Sequence, residues 1–435
     1  MICRHGLAVL APLLVLGFVS PSWAASSQAN ANVATDQPAA GSLTLRQAIT
    51  QALLRNPSRL RAGHDITTAG FQRDAAEWGR YPRLSVDAGA GQANTTFVPT
   101  TTLRLEQPLW AGGRIDAQVD SAQAQLSATE YAEIEARRRL AEDTAVAYQA
   151  WLDAAQRIQI AREGAEALSD LFSYVERRER GGLASASDVS IANARRSSAL
   201  ALVEQMRGEL DQAHAAVQAL TLVNAPAGVP VDVPPISEPS SAAVEDAYVR
   251  NAPLLAQRRA DVENARAQAA VQRGQMMPTV ALRLEYLHYQ HNAPVGPSAD
   301  SRALVVLQFS PDAGLASYST YQAAGSRVDS ALAQLASDDN DTRLRARANW
   351  SDYLASARQF EALQPQVASL DAASGSFMRQ FEAGRKSWLE VLNTTREIID
   401  AKLALSRART ARDQAALRLM VNTGTFSTWL ETLPQ

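Results

Sequence analysis

The chain contains one long unit twice, and the two copies keep a constant spacing over most of their length. Gly112 recurs as Gly314 and Gly182 recurs as Gly384, in each case 202 residues later. A loop tolerates insertions, whereas each residue inserted into a helix rotates its apolar face by about 100°. The constant spacing therefore predicts that the segments between these glycines are helices that must match in length.

The beginning of the unit varies in length. The run Ala52–Pro57 recurs as Ala247–Pro253, and Pro82 recurs as Pro278, 196 residues later. The difference between the two spacings places the additional residues of the second copy after Pro278, where His288–Asp300 reads as a long loop. The repeat predicts a fold built from two equivalent supersecondary units.

Two nearly uninterrupted segments predict very long helices. Residues 113–180 contain no proline and, after Gly113 at the start, Gly164 as the one further glycine, while residues 315–383 contain Pro365 as the one strong helix breaker. At 1.5 Å per residue, a helix of nearly seventy residues spans about 100 Å. A second helix is predicted after each glycine turn, over 187–222 and 387–422.

The apolar residues of these helices form two narrow neighbouring stripes instead of one broad stripe. The first stripe consists of Tyr131, Ile134, Ala141, Ala145, Tyr148, Leu152 and Ala155, and the second of Leu140, Ala147, Trp151, Ala154 and Ile158. Two stripes imply a packing partner on either side, as in a ring of helices around a polar lumen. A soluble coiled-coil rod has the same periodicity and is the alternative on the helices alone.

Four short segments favour the ring, because they alternate apolar and polar residues as half-buried strands do. They cover 83–90, 101–107, 280–286 and 302–309. Each is close to the length that crosses a membrane as a tilted strand, about 9–11 residues. A bilayer tolerates no open sheet edge and four strands cannot close a barrel, so the chain must oligomerise to insert.

Aromatic residues flank the predicted strands, where a membrane-interface girdle would lie. They are Tyr81, Phe97, Trp110, Tyr286 and Tyr289. Ordinary packing of the strand ends is the alternative explanation.

The N-terminus predicts export from the cytoplasm. Arg4 is followed by the apolar run Leu7–Val19 and by Ser22-Trp23-Ala24, the pattern of a cleavable signal peptide over residues 1–24. Cys3, the one cysteine, precedes the apolar run, so neither a disulfide nor an N-terminal lipid is expected.

Composition and breaker residues predict the domain boundaries. Residues 25–42 read as a flexible lead-in and 43–222 as the first structural repeat, with a hairpin at about 82–108. A proline-rich linker over 223–241 separates it from the second repeat, 242–422, with a hairpin at about 278–310. Residues 423–435 are the expected C-terminal tail.

The sequence gives little support to other classes of function. A formal net charge of -3 without a basic, aromatic-containing stripe argues against nucleic acid as a partner. His288 and His291 lack the cysteine or acidic residues that would complete a metal site, so no metal or other cofactor is expected. Gly89-Ala90-Gly91 and Lys386-Ser387 lack the further glycines of nucleotide-binding loops. The chain is therefore not expected to be an enzyme.

Three segments carry a family resemblance. They are Gln107–Arg114, the turn Gly182–Val189 and the run Phe381–Leu392. Together, in this order and in both halves, they resemble the TolC family of outer-membrane efflux proteins, over about Leu43 to Asn422. The resemblance implies a mainly α fold: a homotrimer with a long helical tunnel in the periplasm and a transmembrane β-barrel that receives four strands from each protomer.

The resemblance also implies a partner at the turns between the long helices. In the family these turns meet a periplasmic membrane-fusion adaptor, which here makes candidates of Gly182, Leu183, Ser185, Gly384, Arg385 and Ser387. Glycine also suits a tight helix-to-helix turn for conformational reasons alone. Acidic residues near the second turn constrict the entrance in the family. The candidates here are Asp371, Arg379 and Glu382, although Gly375 occupies a position where an acidic residue is expected.

The expected function is that of an outer-membrane exit duct in a Gram-negative bacterium, embedded in outer-membrane lipid and extending into the periplasm. The run Gly384–Asn393 looks like the subgroup that serves type I secretion of large adhesins with an inner-membrane ABC transporter. The alternative is the outer-membrane channel of an RND-type multidrug efflux pump, whose cargo is drugs and not a protein. A periplasmic coiled-coil scaffold or adhesin shaft is the alternative of a different class.

Overall fold

A computed structural model describes residues 41–93, 96–236, 240–289, 299–310 and 316–433, except the side chains at 90–93, 96–98, 289 and 382. The predicted signal peptide, nearly all of the lead-in and His291 lie outside the described residues. So do the side chains of Phe97, Tyr289 and Glu382.

The two repeats have the same order of elements. The first contains α1 (Leu45–Arg55), α2 (Pro57–Trp78), β1 (Arg83–Ala93), β2 (Thr96–Trp110), α3 (Arg114–Arg180) and α4 (Ala186–Thr221). The second contains α5 (Ser241–Arg250), α6 (Pro253–Gln275), β3 (Thr279–Tyr289), β4 (Ala299–Gln308), α7 (Ala316–Glu382) and α8 (Trp388–Thr423), followed by α9 (Phe426–Thr432). The mainly helical fold with four strands is thereby confirmed, and α3 and α7 are each 67 residues long.

The strands form one antiparallel sheet in the order β1-β2-β3-β4. Its register places Ser85, Arg104, Glu285 and Arg302 in one row across the sheet. The alternation of strand residues therefore creates one charged face and one apolar face, as the sequence predicts.

The helices lie in two layers on either side of α1 and α5. On the sheet side, α2 packs on α3, α3 on α6, and α6 on α7. On the other side, α4 packs on α3, α3 on α8, and α8 on α7. No helix in the described parts of the chain is both long and apolar enough to cross a membrane.

Tyr148 belongs to the larger apolar cluster, in which α1, α3, α5 and α8 meet. Its ring is fully buried, and its hydroxyl lies 2.6 Å from the carbonyl oxygen of Leu43 and 2.8 Å from that of Val229. Burial raises the pKa of Tyr148 to about 12. Because Leu43 and Gly228 form a parallel β-bridge, Tyr148 fastens the start of the first repeat to the linker. Phe426 of α9 joins the same cluster.

The two apolar stripes on α3 are only partly buried within one chain. Trp151 and Ile158 are buried in the seam against neighbouring helices, whereas Tyr131 and Ile134 are exposed. The unequal burial leaves part of the predicted packing surface of α3 open.

Candidate functional site: turns, sheet faces and helix junctions

The turn after α3 and the turn after α7 have the same geometry. Gly182 and Gly384 adopt φ angles of 72° and 74°, the left-handed region that favours glycine. The amide of Leu183 donates to the carbonyl of Arg178 at 2.8 Å, and the amide of Arg385 donates equivalently to Gln380 at 2.8 Å. These bonds close the helix C-termini in the Schellman pattern. The glycines therefore have a conformational role in addition to the predicted contact.

A capping box starts the helix that follows each turn. Ser185 accepts from the amide of Asp188, and Ser387 accepts from the amide of Glu390, both at 3.2 Å. Each carboxylate accepts in return from the serine amide, which satisfies two free donors at the helix start. The Lys386 ammonium, 2.7 Å away, and the Ser387 groups lower the pKa of Glu390 to about 2. Glu390 thus stays ionised at physiological pH.

The two turns of one chain lie close to each other. The backbone and hydroxyl of Ser185 lower the pKa of Asp188, and the nearby Trp388 side chain of the second turn adds a smaller effect. The rings of Tyr174 and Phe381 lie 4.7 Å apart just above the turns. Leu183 remains 71% exposed, so the surface formed by both turns presents an apolar side chain to solvent.

The predicted entrance residues are spread along α7. Asp371 forms an ion pair with Lys402 of α8 at 3.0 Å, while Arg379 is exposed further along the helix. The guanidinium of Arg379 lies 3.6 Å from where a side chain on Gly375 would begin. Asp371 is thus engaged with its own hairpin partner, and Arg379 covers the position where the resemblance implied an acidic residue.

A charged network covers one face of the sheet. Glu285 is central: it lies 2.9 Å from Arg104 and 2.7 Å from Arg302, and its side chain is 5% exposed. The next row adds a 2.7 Å pair between Arg283 and Glu106. Shared pairing satisfies the buried carboxylate and leaves this face densely charged but internally neutralised.

The opposite face of the sheet is apolar and exposed. Its members include Leu84, Val86, Leu103, Leu105, Leu282, Leu284, Val305 and Leu307. An exposed apolar surface of this extent indicates contact with lipid or another protein. Of the predicted girdle, Tyr81 and Trp110 lie with Trp78 at the helix edge of the sheet, and the Trp78 and Tyr81 rings are 5.1 Å apart. Tyr286 instead lies within the apolar face, opposite Leu103.

The sequence shows that Arg55-Asn56 recurs as Arg250-Asn251, but it does not reveal the role of the two asparagines. Asn56 ends α1, caps α2 through Ser58 and donates to the Leu220 carbonyl at the end of α4, at 3.0 Å. Asn251 donates in the same way to the Thr423 carbonyl at the end of α8, at 2.7 Å. Each asparagine thus joins the end of one helix to the start of another.

The seam between α3 and α8 contains buried polar groups that the sequence did not reveal. Asp153 accepts from Ser406 and pairs with Arg157 at 2.9 Å. Asp413 is almost fully buried beside Gln149 and Arg412, and burial raises its pKa despite the arginine. These contacts fix the register of α8 on α3, because each buried carboxylate must meet its partner.

Several solved structures share the fold of this chain. The chain is similar to CusC (TM-score 0.76, 19% identity, covering 87% of this chain and 91% of that chain). It is also similar to the Campylobacter jejuni CmeC outer membrane channel (TM-score 0.76, 14% identity, 88% and 86%). The open state of the Neisseria gonorrhoeae MtrE outer membrane channel gives a TM-score of 0.73 at 16% identity, covering 87% and 88%. No curated protein matches the chain.

The family model described as "Outer membrane efflux protein" matches residues 48–221 and 246–425, one match for each half of the chain. The two matches follow the two structural repeats and include the turns, the sheet and the long helices. The chain therefore belongs to the outer membrane efflux protein family.

Proposed function

We propose that this chain forms a homotrimeric exit duct through the outer membrane and periplasm of a Gram-negative bacterium, as one part of a tripartite export system. The observation that carries the proposal is that the sheet and both helical layers have free edges in a single chain. Within the described residues, β1 and β4 each pair with one strand of the sheet. The chain contributes four strands, and an open sheet cannot stand in a bilayer.

The free edges belong to opposite repeats. In the sheet-side helical layer, α2 and α7 are the outer members, and in the other layer, α4 and α7 are. Among the described residues, α7 makes no extensive contact with α4 or α2, although the equivalent helix α3 packs on both α8 and α6. A second copy placed head to tail would supply these contacts, and such a heterologous arrangement can close into a ring.

The exposure of the apolar strand side chains also marks β1 and β4 as the edges of the sheet. The apolar side chains of the outer strands are the more exposed, with Leu84 at 63% and Leu307 at 69%. Those of the inner strands are less exposed, with Leu105 at 37% and Leu284 at 42%. In the proposed ring, three chains give a twelve-stranded barrel whose apolar face meets lipid and whose charged face lines the lumen.

The assembly is tested by native mass spectrometry and electrophoresis of the full chain extracted from outer membranes. A trimer that resists dissociation in detergent and conducts ions in planar bilayers supports the duct. A chain recovered from the soluble periplasm as a monomer or an elongated dimer would support the scaffold or shaft and end the duct proposal.

The turns are the proposed docking surface for a periplasmic adaptor, through which an inner-membrane transporter is reached. Leu183 separates contact from turn geometry, because its exposed side chain has no part in the turn hydrogen bonds. Leu183→Ala should weaken adaptor capture while leaving the melting temperature unchanged. Unchanged capture by this variant, together with failed capture by Gly182→Ala, would indicate that the turns matter only for their shape.

The cargo we propose is a large secreted adhesin, carried by type I secretion with an ABC transporter. The support is the run Gly384–Asn393 at the second turn. Deletion of the gene should remove the adhesin from the cell surface without making the cells sensitive to drugs. Drug sensitivity with normal adhesin display would instead assign the duct to an RND-type efflux pump.

A further inference from the structure

A groove between α3 and α6 is lined mainly by side-chain amides. It has a volume of about 380 Å³, and one residue each of α2 and α7 completes its lining. Five glutamines and one asparagine form most of that lining: Gln72, Gln118, Gln125, Gln268, Gln272 and Asn264. Arg327 of α7 is the one charged residue among those that line it. We call this surface the amide groove, because it offers many hydrogen bonds and little charge.

Some of the amides are hydrogen-bonded to each other across α3 and α6. Asn264 donates to the Gln125 side chain at 2.8 Å and accepts from the Ser121 hydroxyl at 2.7 Å. Among the described residues, Gln118 and Gln272 have no side-chain hydrogen-bond partner, and both are only partly buried. Each therefore retains a free donor and a free acceptor in the groove.

A second cavity connects the amide groove to the charged face of the sheet. This cavity lies where the sheet meets the helices and has a volume of about 680 Å³. Arg83 and Glu106, which face each other on the charged side of β1 and β2, are among its lining residues. So are Arg114 at the start of α3 and Gln275 at the end of α6. The charged face of the sheet is thus continuous with one face of each of these helices.

The amides lie on those same faces of the helices. Gln118 follows Arg114 by four residues, which places the two within about 40° of each other around α3. Gln268 precedes Gln275 by seven residues, which places them within about 20° around α6. The amide groove and the charged face of the sheet therefore share one side of the molecule. In the proposed ring that side is the lumen.

The other side of the two helices has a different chemistry. Asp120 and Arg266 each lie two residues from a groove glutamine, and so about 200° away around their helix. Asp120 is exposed, and Arg266 forms an exposed ion pair with Glu263 at 2.7 Å. Charged side chains thus occupy the outer side of these helices, and uncharged amides occupy the side that continues the sheet's charged face.

Side-chain amides match the chemistry of a polypeptide backbone. Each has one carbonyl acceptor and N–H donors, as a peptide group does. Gln118 and Gln125 are about 10 Å apart along α3, the length of about three residues of an extended chain. Neutral hydrogen bonds contribute little net free energy, because water competes for the same groups. A passing chain would be held briefly, whatever the charge of its side chains.

We propose that the amide groove contacts the backbone of an unfolded polypeptide during its passage through the lumen. The inference rests on the proposed duct with a protein cargo, and it assigns the part of the wall next to the barrel that the cargo touches.

The placement of the groove is tested with the full chain in planar bilayers that separate two concentrations of potassium chloride. Gln268→Glu adds a carboxylate to the lumen and should shift the reversal potential toward cation selectivity. Gln123→Glu, on the outer side of α3, is the matched control and should leave the reversal potential unchanged. No shift from Gln268→Glu, or an equal shift from the control, would overturn the placement in the lumen.

The contact itself is tested with an uncharged glycine-serine peptide of about twenty residues with blocked termini. The measured quantity is the duration of the current blockade that the peptide causes in single wild-type channels. Gln118→Leu combined with Gln272→Leu removes both free amides and should shorten the blockade about fivefold. Gln123→Leu should leave it unchanged. Blockades of wild-type length in the double variant, or none in the wild type, would overturn the peptide contact.

A linear glucose oligomer serves as the second probe. Blockades by the oligomer that shorten in the double variant, while those by the peptide do not, would assign the groove to carbohydrate and overturn the proposal. A wild-type chain that forms no conducting trimer would refute the proposed duct. A conducting trimer whose blockades ignore the groove variants would refute only the role of the groove.

Discussion

The seam between α3 and α8 within the chain differs sharply from its repeat equivalent, the proposed seam between α7 and α4 of the next copy. Within the chain, α8 contributes Leu392 and Ile399, both buried. The equivalent positions on α4 are Ser190 and Ser197, both exposed. Duplication preserved helix length and turn geometry but not the packing surface. We infer that the two hairpins of one chain form a fixed unit, while the contact between copies is weaker along the helices.

Close helix approach reinforces the internal seam. Gly164 leaves room for Ile399, and a Cβ atom at that glycine would lie 2.4 Å from the Ile399 side chain. The equivalent positions of the proposed seam carry Gln366 and Ser197, which cannot reproduce this fit.

Replacing the buried Leu392 should give the largest difference in stability between variants of the two seams. Leu392→Ala creates a cavity in the internal seam and should destabilise the fold by about 2–5 kcal/mol. Ser190→Ala, the matched control, should change stability by no more than about 0.5 kcal/mol. Denaturant unfolding followed by circular dichroism measures both. Similar effects of the two variants would contradict the claimed asymmetry.

Tyr148→Phe tests the fastening of the first repeat to the linker. The variant leaves two carbonyl oxygens without the buried hydroxyl and should cost about 1–3 kcal/mol. The repeat equivalent is Trp350, which is only partly buried, so Trp350→Phe should have the smaller effect. Proteolysis of the linker gives an independent readout, with faster cleavage expected in Tyr148→Phe alone.

Substitutions at the two turn glycines should lower stability equally, because Gly182 and Gly384 have the same backbone geometry. A Cβ at Gly182 or Gly384 would meet nothing within 4 Å, so only backbone strain opposes alanine. Each substitution to alanine should cost about 1–2 kcal/mol, and the two values should agree within error. A clearly larger destabilisation at one turn would reveal a difference in environment that the single chain does not contain.

The pH dependence of stability should report on the partly buried carboxyl of Glu142 on α3. Burial raises the pKa of Glu142, so the folded chain binds this proton more tightly than the unfolded chain does. Ionisation of Glu142 therefore lowers stability above its folded pKa, and this destabilisation disappears as the pH falls below its ordinary value. Glu142→Gln should be the more stable at neutral pH by a small margin that vanishes in acid. A constant margin would exclude Glu142 as the cause.

The repeat made the fold predictable, whereas the contacts between distant segments were not. Constant spacing identified α3 and α7 to within a residue or two, and even Pro365 lies inside α7. The roles of Asn56 and Asn251 depend on carbonyl groups more than 160 residues away, which local patterns cannot indicate. The contact between the rings of Tyr174 and Phe381 likewise requires the ends of α3 and α7 to meet in space.

For the candidate site residues too, local features were predictable and contacts between distant segments were not. The turn glycines follow from local rules and were identified from the sequence. Ser185 and Ser387 were predicted as adaptor contacts, and their role as helix caps was missed although the Ser-x-x-Asp and Ser-x-x-Glu spacing indicates it. Tyr286 was placed at a strand end, but it lies within the apolar face because β3 extends from Thr279 to Tyr289. The positive φ angle of Leu222, at the end of α4, could have been anticipated only by comparison with its repeat equivalent, Gly424.

The register of β4 against β1 of the next copy tests the central claim most directly. Within the chain, Leu105 faces Leu284, and the repeat spacings convert this pair into Leu307 and Ala88. Opposed residues on neighbouring strands bring their Cβ atoms to about 4.5–5.5 Å. In a chain that also carries Cys3→Ser, Leu307→Cys with Ala88→Cys should form disulfides that link three chains. Cross-linking confined to monomers, or none in membranes that contain the protein, would contradict the head-to-tail ring.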